Sequence, residues 1–306
     1  MSTELAGRQA LFAGIAVFLF ATLARAQELV PGAYTPAPTG YNVVTVGGSI
    51  SRGGVAFDPS LPIEDASARI GGVFVGLGRT LNLGGRFGNI VVSMPLIHGH
   101  LRGLVSGQPQ EADRLGQGDL GVRLGINLFG APAMTRQQFA KYRPKTLVAV
   151  SATVGVPLGQ YDPGRYVNIG TNRWSLKLDS GFSRIRGRWT FEGDLGATFF
   201  GDNSNYVNGG TLDQAPIVSA QWHLIYTVRP GLWLAGDGNY WNGGRVTVNG
   251  VSNLEQQRNS RLGLTLAVPI GLQQVRIAYS FGAFTTIGGD FNSIGVSYSY
   301  AWAGRP

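Results

Sequence analysis

Along most of this chain apolar and polar side chains alternate one for one. The cleanest run is Ile217 to Thr227, where Val218, Ala220, Trp222, Leu224 and Tyr226 fall on one face and Ser219, Gln221, His223 and Thr227 on the other. A period of two belongs to a β-strand with one apolar and one polar side. Eleven more runs behave in the same way: about Tyr41 to Ser51, Ser67 to Thr80, Phe87 to His100, Gly118 to Phe129, Thr146 to Gln160, Asn172 to Arg184, Trp189 to Phe200, Leu232 to Trp241, Arg258 to Pro269, Gln274 to Phe281 and Asp290 to Trp302. Most have the length needed to cross an apolar band ~25 Å tall at a tilt of ~40°. Twelve strands, an even number, predict an all-β fold: a transmembrane antiparallel up-and-down β-barrel.

The connections test this reading, because such barrels have short turns on the periplasmic side and long loops outside. Arg184 to Arg188, Val228 to Gly231 and Ile270 to Gln273 are short, whereas Leu101 to Gln117, Tyr161 to Thr171, Gly201 to Pro216 and Asn242 to Gln257 are long and polar. With a periplasmic N-terminus, every one of these long stretches falls outside and every short turn inside. Gly130 to Lys145 breaks the rule, and there Thr135 and Gln138 have capping-box spacing. A short periplasmic helix is expected, with Phe139 and Tyr142 bracing the inner mouth, against the alternative of an ordinary surface turn.

Parity also assigns facing. Trp174, Leu176, Leu178 and Phe182 turn to lipid, as do Trp189, Phe191, Leu195 and Phe199, and then Leu262, Leu264, Leu266 and Val268. The polar faces leave Arg123, Arg173, Lys177, Arg261 and Arg276 in the lumen against Asp179, Glu192, Asp194 and Asp237, with His223 beside Ser219 and Gln221. Lys177 and Asp179 are expected to pair across the sheet with Glu192 and Asp194. Such a set either orients an ionic solute at a constriction or fills the barrel as a salt-bridged network, and the two are compatible. Trp174, Trp189, Trp222, Trp233 and Trp302 near strand ends suggest an interfacial girdle.

The N-terminus modifies the boundaries. Arg8, the apolar run Leu11 to Leu23 and the small-x-small triplet Ala24-Arg25-Ala26 read as a secretory signal over residues 1–26, too short to span a bilayer as a helix. Residues 27–40 then form a periplasmic segment, 41–302 the barrel and 303–306 a tail. The chain has no cysteine, which excludes disulfides, thiolate metal sites and a cysteine nucleophile. Forty-seven glycines suit strand bending and close packing on barrel closure. The formal charge is +8. No basic cluster or nucleic-acid motif accompanies it, so nucleic acid is not an expected partner. Scattered arginines fit the lumen and lipopolysaccharide phosphates better.

Candidate chemistry is sparse. His98 and His100 share a strand face, a spacing able to hold a metal, but that face also carries Ile90, Val92, Met94 and Leu96 and points to lipid, so no metal is expected. No phospholipase-like motif surrounds His98, His100 or His223. The paired glycines never stand between a strand and a helix as a phosphate loop would, so no nucleotide cofactor is expected.

Several segments carry a resemblance: Ala56 to Asp65, Gly118-Asp119-Leu120-Gly121-Val122-Arg123-Leu124, Val156-Pro157-Leu158-Gly159-Gln160-Tyr161-Asp162-Pro163, Asn168-Ile169-Gly170-Thr171-Asn172-Arg173-Trp174, His223 to Tyr226 and Gln257 to Gly263. Together they resemble the transporter-like outer-membrane family named for the meta-pathway of phenol degradation. The resemblance implies a channel for aromatic or other hydrophobic compounds and supplies no catalytic residues. It also implies that Asp162 and Asn168 shape an external loop, near which Arg258, Asn259 and Arg261 enter the barrel. The last strand's aromatics, Tyr298, Tyr300 and Trp302, resemble the C-terminal signal read by the barrel-assembly machinery, although Ala303 to Pro306 follow them. The expected protein is a passive outer-membrane channel for small solutes, in contact with outer-membrane lipid and lipopolysaccharide. The alternatives are a closed structural or binding barrel and an outer-membrane lipid hydrolase.

Overall fold

A computed structural model describes residues 30–57, 63–165, 167–207, 209–271 and 273–303. The signal segment 1–26 and the end of the C-terminal tail lie outside the described residues. Twelve wall strands close into one antiparallel barrel. In chain order they begin with β1 (Tyr41–Ala56), β2 (Ile63–Leu83) and β3 (Arg86–Val105). The fourth is made of two pieces, β4 (Gln108–Gln117) and β5 (Leu120–Phe129). Then come β6 (Thr146–Val156), β7 (Ser175–Arg186) and β8 (Trp189–Phe200). Two short external strands, β9 (Asn203–Tyr206) and β10 (Gly210–Gln214), lead to β11 (Ile217–Arg229) and β12 (Leu232–Gly243). Two more, β13 (Val246–Val248) and β14 (Val251–Ser252), precede β15 (Gln257–Ile270), β16 (Gln273–Thr285) and β17 (Gly288–Ala303).

The barrel closes between first and last strands, from Tyr41 opposite Ala303 to Ala56 opposite Gly288. Closure leaves no long free edge, which is what allows a sheet to sit in lipid. The break between β4 and β5 falls opposite Pro95, and the Gly118 amide donates to the Pro95 carbonyl at 2.9 Å. Proline supplies no amide to a ladder, and such sites accommodate irregular pairing.

Outward positions form an apolar surface as parity predicts, with Val73, Val75, Leu77, Leu178, Leu195, Leu264 and Val296 all exposed. Among the described residues no helix is long and apolar enough to cross a membrane, so the strands carry the crossing. The tryptophans divide differently from the expected girdle. Trp174, Trp189 and Trp302 lie at strand ends on the outer surface, but Trp222 is in mid-strand, flat over Gly238, where a Cβ would meet its ring at 2.4 Å. Trp233 points inward beneath the Arg276 guanidinium.

Two loop expectations change. Leu101 to Gln117, read as a long external loop, is a continued hairpin of β3 and β4 turning at Ser106 and Gly107, both with positive φ. The stretches 201–216 and 242–257 form a four-stranded sheet, β14-β13-β10-β9, on a small core of Tyr206, Leu212 and Val246. The inner connection does contain a helix, α1 (Arg136–Lys141), with Thr135 and Gln138 making the capping box. Bracing comes from elsewhere in that connection: Ala131 packs with Phe87, Leu147 and Ala37, and the buried Met134 offers its carbonyl to Thr39 N at 2.9 Å.

Candidate functional site in the barrel lumen

Inward side chains of five neighbouring strands form three successive rungs. The outermost runs Asp179, Gly196, Ser219, Trp241, Asn259; the middle runs Gly181, Asp194, Gln221, Asn239, Arg261; the innermost runs Ser183, Glu192, His223, Asp237. The polar residues face inward because each shares parity with its strand's water side, and the structure brings Asp179, Glu192, Asp194, His223, Asp237 and Arg261 together on one arc of the wall.

The expected cross-strand ion pairs are not what holds them. Lys177 Nζ forms an ion pair with Asp179 of its own strand at 2.7 Å. The other two carboxylates bind Gly32 and Tyr34, in the described part of the segment 27–40 that is expected to be periplasmic. Glu192 accepts from the Gly32 amide at 2.7 Å, and Asp194 accepts from the Tyr34 hydroxyl at 2.7 Å. Asn127 Nδ2 donates to the Tyr34 carbonyl at 3.0 Å and Arg276 Nη1 to the Pro31 carbonyl at 3.4 Å. The Arg123 guanidinium lies 5.2 Å from the centre of the Tyr34 ring, and its Nη1 also reaches Asn89. A Cβ on Gly181 would stand 2.1 Å from the Tyr34 ring, so that glycine makes the seat. The segment turns at Gly32, with φ +78° and Thr35 N donating to its carbonyl at 3.1 Å. Sequence reasoning missed Tyr34; its signal was the Pro31-Gly32 turn followed by an aromatic residue.

Beneath this contact His223 Nδ1 lies 2.7 Å from Asp237, whose other oxygen accepts from Thr265 at 2.6 Å. The pair is buried, and each charge-bearing oxygen has a partner, as a low-dielectric interior demands. Ser219, the inward serine of the same strand, is four residues or ~13 Å of strand from His223, beyond nucleophile-to-base reach.

A second segment fills the outer mouth, and here the family-like motifs meet. Asp119 accepts from Gly159 N at 2.9 Å and Thr171 N at 3.1 Å, drawing both ends of the loop after β6 to the break between β4 and β5. Gly159 and Gly170 touch backbone to backbone, where a Cβ on Gly159 would meet Gly170 Cα at 2.6 Å. Asn168 Oδ1 accepts from Asp162 N at 2.9 Å while its amide nitrogen donates to the Asp162 and Arg165 carbonyls, and Arg165 pairs with the Asp162 carboxylate. The loop thereby presses Val167 and Ile169 onto Val55, Ala68, Ile70, Ile97, Leu101 and Phe291 of the inner wall.

The remaining expected residues separate. Arg173 lies buried in this outer knot, bonded to Gln214 and over the Phe200 ring, and burial pulls its pKa down to about 10. Asn259 clamps the β16–β17 hairpin through Ile287 O and Thr286 N. Arg261 Nη2 donates to the Phe291 carbonyl at 2.9 Å. Arg258 is exposed on the opposite face of β15 and does not join them. His98 and His100 both approach Asp113 on the outer surface, and among the described residues no group of three or more His, Cys, Asp or Glu is placed to hold a metal.

A closed twelve-stranded barrel with an apolar exterior and a charged interior is a bacterial outer-membrane β-barrel protein. The chain belongs to the family described as MetA-pathway of phenol degradation, whose model matches residues 66–300. Among solved structures it is similar to an outer membrane channel from Pseudomonas putida F1, at 18% identity and TM-score 0.76, covering 90% of this chain and 100% of that one. It is also similar to the β domain of the Bordetella autotransporter BrkA, at 11% identity and TM-score 0.49, covering 85% and 99%. The transport unit of the autotransporter AIDA-I from Escherichia coli matches at 11% identity and TM-score 0.49, covering 98% and 97%. No curated protein matches the chain.

Proposed function

We propose that this protein is a passive outer-membrane channel for small aromatic solutes, held shut in the present conformation by two of its own segments. The observation that carries the reading is the plug at the inner mouth: lumen carboxylates and arginines that could have paired with one another bind residues 31–34 instead. A barrel built only as a scaffold has no need of an internal segment on displaceable polar contacts. The family description supports an aromatic solute, and the Tyr34 contacts suit an aromatic ring. The separation of Ser219 from His223 argues against the lipid-hydrolase alternative. The test is flux of phenol, benzoate and a small sugar into vesicles carrying the refolded chain. Protein-dependent entry of any of them supports the channel, and no entry through a folded barrel supports the closed structural or binding alternative.

The outer surface suggests the surrounding partners. Just beyond the apolar positions Ile50 and Val73, the outward residues Arg52 and Arg69 stand side by side on β1 and β2. Like charges directly opposite one another repel unless an anion lies between them. A lipopolysaccharide phosphate is the anion that this height in the membrane provides. The stacked Tyr300 and Trp302 near the end of β17 suit recognition by the barrel-assembly machinery.

A further inference from the structure

We propose that the Tyr34 seat is a binding site for free phenols, and that the protein's own tyrosine occupies it as an intramolecular stand-in for solute. This rests on the channel reading above and names its ligand class. A tyrosine side chain is a phenol with a methylene in the para position, so its contacts state what the seat recognises. The hydroxyl donates to Asp194 at 2.7 Å. One face of the ring lies within 5.2 Å of the Arg123 guanidinium, a cation–π contact that any electron-rich ring satisfies. The ring fills the space left by the missing Cβ of Gly181. The backbone that carries the ring is held separately, through Asn127, Glu192 and Arg276.

This set has a definite selectivity. A phenol supplies both the ring and a donor for the carboxylate. Benzene and toluene lack the donor, and benzoate places a second anion against Asp194. A phenol entering from outside therefore competes with Tyr34 for the seat and weakens the hold of the inner plug, so the solute favours its own passage. Because the competitor is tethered, its effective concentration is on the order of millimolar or more, and free phenol must work against it.

Removing the stand-in exposes the site. In Y34A, p-cresol, the free analogue of a tyrosine side chain, should raise the unfolding temperature of the full-length barrel in a saturable way, since a ligand that binds only the folded state stabilises it. Toluene and benzoate at the same concentration should not. Adding G181A to Y34A places a methyl in the seat and should abolish the shift. Equal stabilisation by toluene, or none by p-cresol in a folded Y34A, overturns the proposal. If Y34A does not reach the heat-modifiable form, Y34F serves. Having lost the hydroxyl bond, the tethered ring competes less, so phenol should raise ion conductance at a concentration lower by on the order of tenfold than in the parent chain. An unchanged concentration dependence overturns the proposal as well. Flux measured on the same preparations separates the two readings: solute flux without phenol competition removes the seat and leaves the channel, whereas p-cresol binding without any flux removes the channel and leaves a binding barrel.

Discussion

At the scale of single residues, Gly181 seats the Tyr34 ring, Asp119 holds the loop after β6 and Lys177 stands on the wall between them. Gly181 is the cleanest place to perturb the inner segment, because the three atoms nearest an added methyl all belong to the Tyr34 ring. G181A is expected to fold normally and to show higher single-channel conductance without any ligand; parent-like conductance would mean that the ring does not block the path. Asp119 acts at the other mouth. D119A removes the acceptor for Gly159 N and Thr171 N, charge-assisted bonds of about 1.5–3 kcal/mol each, and should make the loop after β6 cleavable by protease from the outer side while the barrel stays intact. Lys177 reports on the path itself. K177E sets a third carboxylate near Asp179 and Asp194, so reversal potentials should move toward cation selectivity if solutes pass this arc. Parity placed Lys177, Asp179 and Asp194 inside. Their partners were not legible, since a residue's strand says which way it points and nothing about which distant segment lies opposite.

Among the elements, the wall and the two tucked segments have different stabilities. Each wall strand is bonded along both sides, whereas residues 31–40 rest on side-chain contacts and a few backbone bonds to Thr80 and Met134. Segments of this kind open locally at far lower cost than the sheet. Deleting residues 30–36 should leave the heat-modifiable barrel in place and raise its conductance, read in planar bilayers; unaltered conductance would put the main barrier at the outer loop. The expected strands matched the observed ones in number and direction. Their lengths did not, because β1 to β4 continue beyond the apolar band, where alternation fades while backbone pairing persists. The external sheet was read as loop for a related reason: its strands are two to five residues long, below what periodicity can register.

For the whole molecule, orientation and surroundings follow from asymmetry between the two ends. The tight turns at Gly84-Gly85, Gly187 and Gly231 share the end that holds both termini of the barrel, and the elaborated loops share the other. The outward row of Arg52 and Arg69 lies at the elaborated end. The double variant R52A/R69A is expected to retain less lipopolysaccharide through purification, measured by phosphate analysis, with conductance unchanged; equal retention would dissociate this row from lipid.

By itself the sequence determined the wall. A strand in lipid must bond all its backbone groups to neighbours and must show apolar side chains outward, and those demands are local, repeated and visible as alternation. It also determined the family, through motifs such as Val156 to Pro163 and Asn168 to Trp174. Only the tertiary structure decided what the lumen holds. Glu192 meets Gly32, and Asp194 meets Tyr34, across a sequence separation of 160 residues in each case. No periodicity records such an encounter. It arises because a closed barrel brings every inward side chain to one narrow space, where the nearest partner is set by geometry rather than by order along the chain.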